Sequence, residues 1–298
     1  MKKIATLIGN CHNSGMRIFL QKSEQFRETY EFKQHANWRL IREKKSVHIE
    51  DVKAADLFIY QPLAPAYGCY STDPRVKDSI GSLLKDNCVA ISYPYTYYSA
   101  LWPICQAGAG TDQANRWFGS EAIDVLRTSG AEDREILELY NKDKIDWLYE
   151  SRHDETIEIL RKKESITDIK ISKFIEDNFR KKDLFLIPQH PSSLVFMQKA
   201  NQVLEAIGMD KITINQLIGD NDAELGDTTY QLPSNRFPIH SSAIEYYGLE
   251  FVTSYHSPEY TKEFYRQRII QYMNMFPRDK SSDHWRNFEE NYIPEDIK

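Results

Sequence analysis

Leu7-Ile8-Gly9-Asn10-Cys11-His12-Asn13-Ser14-Gly15 is the stretch on which the reading of this chain turns. Ile4 to Ile8 is a short apolar run that reads as a buried strand. The small polar residues after it form a turn, and a helix is expected from near Met16. A thiol in that turn lies near a helix N-terminus, where the helix dipole and unpaired backbone N–H groups stabilise a thiolate or hold an anion. Cys11 is therefore a candidate nucleophile, and Gly9 leaves room for a ligand to approach the backbone. The competing reading makes Cys11 a small buried filler, an ordinary fate for free cysteine.

Working outward, three more apolar runs read as strands: Leu57 to Tyr60, Cys88 to Ser92 and Leu184 to Ile187. Each ends in a polar or proline-containing loop. A helix is expected over Arg75 to Lys85, after the turn Ser71-Thr72-Asp73-Pro74. Strands separated by helices pair in parallel, so the fold class is α/β, a short parallel sheet with helices on both faces. Ligands bind such sheets beyond the carboxyl ends of the strands. Residues Ser120 to Asn178 carry apolar positions at three- and four-residue spacing, Ile136, Leu137, Leu139, Tyr140, Ile145, Leu148 and Tyr149 among them, and read as a helical insertion. Further helices are expected over Ser192 to Ile207, stopped by Gly208, and over Pro258 to Met275, stopped near Pro277. With no repeat and no linker composition, residues 1–298 read as one domain, ending in a polar, loosely held tail after Pro277.

Composition narrows the function. With 41% hydrophobic and 28% charged residues, the chain has enough apolar side chains to build a core and is not disordered. A net charge of −6 argues against a nucleic-acid partner, which calls for a basic face. The apolar run after Lys2 and Lys3 is too short for a signal peptide, and no stretch is long enough to span a bilayer; the expectation is a cytoplasmic protein. Cys11, Cys69, Cys88 and Cys105 form no CxxC pair, so free thiols are expected and a metal site is not.

A second candidate segment is Ile187-Pro188-Gln189-His190-Pro191-Ser192-Ser193, which also leaves a strand and enters a helix, with Ser192 or Ser193 as its N-cap. His190 then lies on the same rim as Cys11 and is a candidate general base; His12 ranks second. Asn10 and Gln61 offer amides to an oxyanion. The aromatic loop Tyr93-Pro94-Tyr95-Thr96-Tyr97-Tyr98, followed by Leu101-Trp102-Pro103, offers Tyr93, Tyr98 and Trp102 as surfaces for a base or sugar ring, against the plainer reading of a packed aromatic wall. Arg17, Lys199 and Arg236 are scattered cations able to meet phosphates.

The Gly9-Asn10-Cys11 turn, the Tyr60-Gln61-Pro62 loop, the aromatic loop from Tyr93 to Pro103 and His190-Pro191-Ser192, in that order, resemble the WcbI-type polysaccharide biosynthesis acetyltransferases. The region from Phe237 to Phe276 is similar to that family's C-terminal part. The resemblance implies coenzyme A or acetyl-coenzyme A as cofactor, and transfer of an acetyl group to a hydroxyl of a glycan or nucleotide-linked sugar in capsule-type polysaccharide biosynthesis. It also puts the family's cysteine on Cys11 and its histidine on His190. A looser likeness to SGNH-type hydrolases and acyltransferases lacks that pattern's aspartate three residues before the histidine, since Ile187 stands there. An acyl-ester hydrolase using the same residues and a non-catalytic binder of coenzyme A or a nucleotide are the alternatives.

Overall fold

Lys3–Gly9 forms β1, which is buried from Ala5 onward because apolar and small residues occupy both of its faces. The computed structural model describes residues 2–45, 49–104, 120–214, 236–251 and 256–275. β1 pairs in parallel with β2 (Tyr30–Ala36) on one side and β3 (Leu57–Tyr60) on the other, and β3 pairs in parallel with β4 (Val89–Ser92). The strand order is β2-β1-β3-β4. The chain thus winds one way from β1 and then the other, and the switch point lies between the carboxyl ends of β1 and β3.

Alternation along the two central strands decides what covers each face. Ala5 and Leu7 of β1 with Leu57 and Ile59 of β3 pack beneath Met16, Phe19 and Leu20 of α1 (His12–Lys22) and Phe196, Ala200, Val203 and Leu204 of α9 (Ser193–Ala206). Ile8 and Phe58 face the other way, onto Leu40 of α3 (Asn37–Glu43), Val52 of α4 (Ile49–Lys53) and Ile80. Each fully buried Leu, Ile, Val, Phe or Met among these contributes roughly 1.5–3 kcal/mol. The short α2 (Glu24–Thr29) leads into β2, with the Ser23 hydroxyl accepting from the Phe26 N–H.

The region expected to be a helical insertion holds α5 (Glu121–Thr128), α6 (Asp133–Asn141), α7 (Tyr149–Glu164) and α8 (Ser172–Asn178). Their apolar faces, including Ile123, Ile136, Tyr140, Ile157, Leu160 and Ile175, form a second core. That core is shared with α10 (Ser241–Tyr247), α11 (Pro258–Met275) and the buried stretch from Tyr98 to Ile104. α9 ends beside Gly208 (φ 71°), as the sequence leads one to expect. No helix among the described residues is long and apolar enough to cross a membrane.

Three expectations are corrected. Phe185–Ile187 is a strand, β5, but it pairs antiparallel with β6 (His190–Pro191) in a separate two-stranded ribbon. Its apolar run reports burial, and here the partner is the helical core, where Phe185 stacks on Tyr98 at 5.1 Å. No helix spans residues 75–85; the segment is turns, with a 3-10 turn at Gly81–Leu83. Asp73 captures both the backbone N–H and the guanidinium of Arg75, Ser79 donates to the Asp73 carbonyl, and a Cβ on Gly81 would stand 2.3 Å from the Thr72 oxygen. Side chains that hydrogen-bond local backbone compete with a helix in this way. Lastly, α1 begins at His12, not near Met16. Cys105, the end of the last helix near Pro277 and the tail beyond it lie outside the described residues.

Candidate active site

Cys11 is exposed and is the N-cap residue of α1. The buried-filler reading is thereby excluded. Asn10 folds the turn: its side-chain Oδ1 accepts the His12 N–H at 2.9 Å, and its carbonyl accepts the Asn13 N–H at 3.0 Å. Its own N–H donates to Gln61 Oε1 at 2.7 Å, a bond that bridges the switch point from β1 to β3. With the Gln61 oxygen held by that N–H, its Nε2 is left as a buried donor without a hydrogen-bond partner.

Asn13 ties the carboxyl ends of the strands together. Its Nδ2 donates to the carbonyls of Gly9 (3.1 Å) and His35 (2.8 Å), and its Oδ1 accepts the Tyr93 hydroxyl (2.6 Å). These side chains converge over Gly9, where a Cβ would lie 2.5 Å from Asn13 Oδ1 and from the Tyr93 hydroxyl and 3.0 Å from Gln61 Oε1. The room at Gly9 is thus filled by the protein's own polar network, not left for a ligand.

The second segment meets the first through His12. That ring is fully buried, and its Nε2 lies 2.8 Å from the Gln189 carbonyl, so Nε2 carries the proton. Burial first, and the Lys199 charge second, hold His12 well below the ordinary imidazole range. His12 is a neutral strut that fastens the Cys11 turn to the residue before His190, and it is not open to substrate. His190 is half-buried at the start of β6, and burial pushes its pKa down to about 4. Ser192 is the N-cap residue of α9, yet its hydroxyl makes no capping bond and has no hydrogen-bond partner. Gln61 Nε2, Gln189 Oε1 and Ser192 Oγ are likewise buried and unpartnered on the loops that flank the Cys11 turn. Buried polar atoms are normally bonded, so this concentration marks the region as a candidate for binding polar groups.

Lys199 lies under the aromatic loop that follows β4. It is fully buried on α9, donates to the Pro94 carbonyl at 3.3 Å, and stands 5.7 Å from the Tyr93 ring and 5.9 Å from the Phe196 ring. Burial lowers its pKa to about 7, while the charges of Glu164 and Cys11 pull it upward. The ammonium therefore acts on Cys11 through its charge, and it is not available to a phosphate in solvent. Tyr93, Tyr98 and Trp102 are buried too, with Tyr98 bonded to His153 Nδ1 (2.7 Å) and the Trp102 indole N–H donating to the Phe237 carbonyl (3.3 Å). They form the packed aromatic wall, not a stacking surface. The aromatic of this loop that is only partly buried is Tyr95, which stacks on His12 at 5.1 Å and carries the Lys163 ammonium over its face at 4.9 Å. Arg236 is paired with Asp183, whereas Arg17 is exposed on α1.

A model of the family described as polysaccharide biosynthesis enzyme WcbI matches residues 4–211. No curated protein matches the sequence. A solved structure of WcbI is described as a polysaccharide biosynthesis enzyme, in its native form without a disulfide bond between coenzyme A and one of its cysteines. It superposes with a TM-score of 0.65 at 16% identity, covering 98% of this chain and 96% of that one. At that identity the likeness speaks for the fold. With the family model spanning well over half of the chain, the protein belongs to the WcbI family of polysaccharide biosynthesis enzymes.

Proposed function

We propose that this enzyme moves an acetyl group from acetyl-coenzyme A to a sugar hydroxyl during polysaccharide biosynthesis. The observation that carries the reading is the exposed Cys11 thiol, held as the N-cap of α1 at the switch point of the sheet, one residue after Asn10, whose N–H is bonded to the otherwise unpartnered Gln61 amide. Ligands of open α/β sheets gather at that place. The solved WcbI structure is described by reference to a disulfide between coenzyme A and a cysteine, and Cys11 is the cysteine we take as its counterpart. The residues present fit a thioester: a thiol open to solvent, an amide donor with no internal partner, and an exposed cation, Arg17, on the same helix.

Acetyl-coenzyme A supplies an activated acyl carbon. Gln61 Nε2 donates to the oxygen that becomes negative as that carbon turns tetrahedral. His190, neutral at physiological pH because burial disfavours its charged form, takes the proton of the acceptor hydroxyl. The ester C–O bond forms, the thioester C–S bond breaks, and His190 passes the proton to the departing thiolate. Cys11 lies against the thioester or takes the acyl group first, and the Lys199 charge beneath it favours a thiolate.

The test is turnover of labelled acetyl-coenzyme A with glycan acceptors in the wild type, Cys11→Ala and His190→Ala. Each substitution is expected to remove most acetyl transfer while circular dichroism shows an intact fold. Full activity in both variants would overturn the reading, and label released only as free acetate would make the enzyme a hydrolase. Intact mass spectrometry tells an acetyl-Cys11 adduct from direct transfer.

A further inference from the structure

Arg152, on α7, is 5% exposed, and its charge has no counterion among the described residues. Its Nη2 donates to the Trp102 carbonyl at 3.1 Å, and its Nε has no hydrogen-bond partner. A guanidinium keeps its charge throughout the physiological range, and burying it against one carbonyl is costly. The side chain borders a cavity of about 300 Å³, lined also by Tyr97, Ser99, Glu121, Glu155 and Thr156. That volume lies at the small end of ligand pockets, which run from about 300 to 1,000 Å³.

The other polar groups of the cavity are as open as Arg152. Neither Glu121 nor Glu155 has an ion-pair or hydrogen-bond partner among the described residues, and both residues are exposed. Ser99 Oγ and Thr156 Oγ1 stand 3.5 Å apart, at the limit of a hydrogen bond. The wall therefore offers a fixed donor fork, two carboxylate acceptors and two hydroxyls that do both. A phosphate would meet Arg152 but would also face the two carboxylates. Vicinal hydroxyls satisfy donors and acceptors together.

The cavity is joined to the Cys11 crevice by two elements. Tyr97 continues the loop after β4, in which Tyr95 stacks on His12 beside Cys11. Along α7, Lys163 follows Arg152 at a distance of about 16 Å for the helix rise, and its ammonium sits over that same Tyr95 ring.

We propose that this cavity is a sugar subsite of the acceptor, in which Arg152 donates to, and Glu121 and Glu155 accept from, the hydroxyls of one pyranose-sized ring. The assignment rests on the transferase reading only in making that ring part of the glycan presented to Cys11.

The experiment is saturation-transfer NMR with a panel of hexoses and N-acetylhexosamines, and with inorganic phosphate titrated separately. It uses the wild type, Arg152→Met and Glu155→Gln, and coenzyme A calorimetry is run on all three. The wild type is expected to bind at least one sugar. Both substitutions should weaken that binding about tenfold or more, the loss of one charge-assisted hydrogen bond, and leave coenzyme A binding unchanged. Arg152→Met should melt no lower than the wild type, since it removes a buried unpaired charge. Should it fail to fold, Glu155→Gln, at an exposed position, carries the test. No sugar bound, sugar binding intact in both variants, or phosphate binding that Arg152→Met abolishes would each overturn the subsite. Sugar binding without coenzyme A binding would keep the subsite and remove the acetyl-transfer reading.

Discussion

Replacing Lys199 by Met removes a charge that folding has buried and keeps an unbranched side chain of similar reach in its place. The ammonium is fully buried, with one hydrogen bond, to the Pro94 carbonyl at 3.3 Å, and burial lowers its pKa from 10.5 to about 7. Below pH 7 the folded and unfolded forms both hold the proton. The cost to folding is then present in full, roughly 5 kcal/mol at about 1.36 kcal/mol per pH unit of difference. Between pH 7 and 10.5 the folded form has released the proton and the unfolded form retains it, so stability rises with pH. The Met variant has no such proton. Urea denaturation at pH 6, 7, 8 and 9 should show the wild type gaining about 2 kcal/mol on Lys199→Met between pH 7 and 9. Below pH 7 the difference between the two should level off. Parallel profiles, or a variant several kcal/mol less stable at pH 7, would refute the argument. The attraction between the Lys199 and Cys11 charges is mutual, so iodoacetamide should alkylate Cys11 more slowly in Lys199→Met at pH 7.

Gly9→Ala places a Cβ 2.5 Å from Asn13 Oδ1 and the Tyr93 hydroxyl, and it should cost about 1–3 kcal/mol by urea denaturation and depress turnover. Wild-type stability and activity in this variant would mean that the network over Gly9 gives way without consequence. A base whose pKa burial has pushed to about 4 has lost its proton well before neutrality. The acid limb of kcat/KM should therefore fall only as the pH approaches 4. A limb centred near 6.5 would assign the proton transfer to an unburied histidine.

The strands that the sequence makes legible are those with apolar runs, β1, β3 and β4; both faces of β1 and β3 are covered, whereas β4 is buried only at Ile91 and Ser92 and leaves Val89 exposed. Tyr30–Ala36 is not legible as a strand: β2 is one of the two sheet edges, and only intermediate or exposed positions line it, so Tyr-Glu-Phe-Lys-Gln-His-Ala shows no clean period. Leu184 to Ile187 is readable as buried strand but not as a member of a particular sheet, since hydrophobicity names no partner. The site is half legible. The order strand, Cys11 turn, helix and the Pro188 to Ser192 segment follow from local pattern; the carboxyl-end rule places the Cys11 turn, but β5 lies outside the parallel sheet, and it is the His12–Gln189 hydrogen bond that brings the second segment beside the first. Which side chains face that crevice is a tertiary matter. Nothing local distinguishes buried Lys199 from exposed Arg17, or partly buried Tyr95 from Tyr93 and Tyr98 in the core. Arg152, in a helix of ordinary amphipathic pattern, gives no local signal that its charge is buried.

Calorimetric titration of coenzyme A and acetyl-coenzyme A into the wild type and Cys11→Ala addresses the central claim most directly, because it requires no knowledge of the acceptor. The account predicts micromolar binding to the wild type, about −8 kcal/mol, and binding of the same order by Cys11→Ala, in which acetyl transfer is lost. An absence of binding to the wild type would contradict the assignment of the Cys11 crevice to an acyl-coenzyme A thioester.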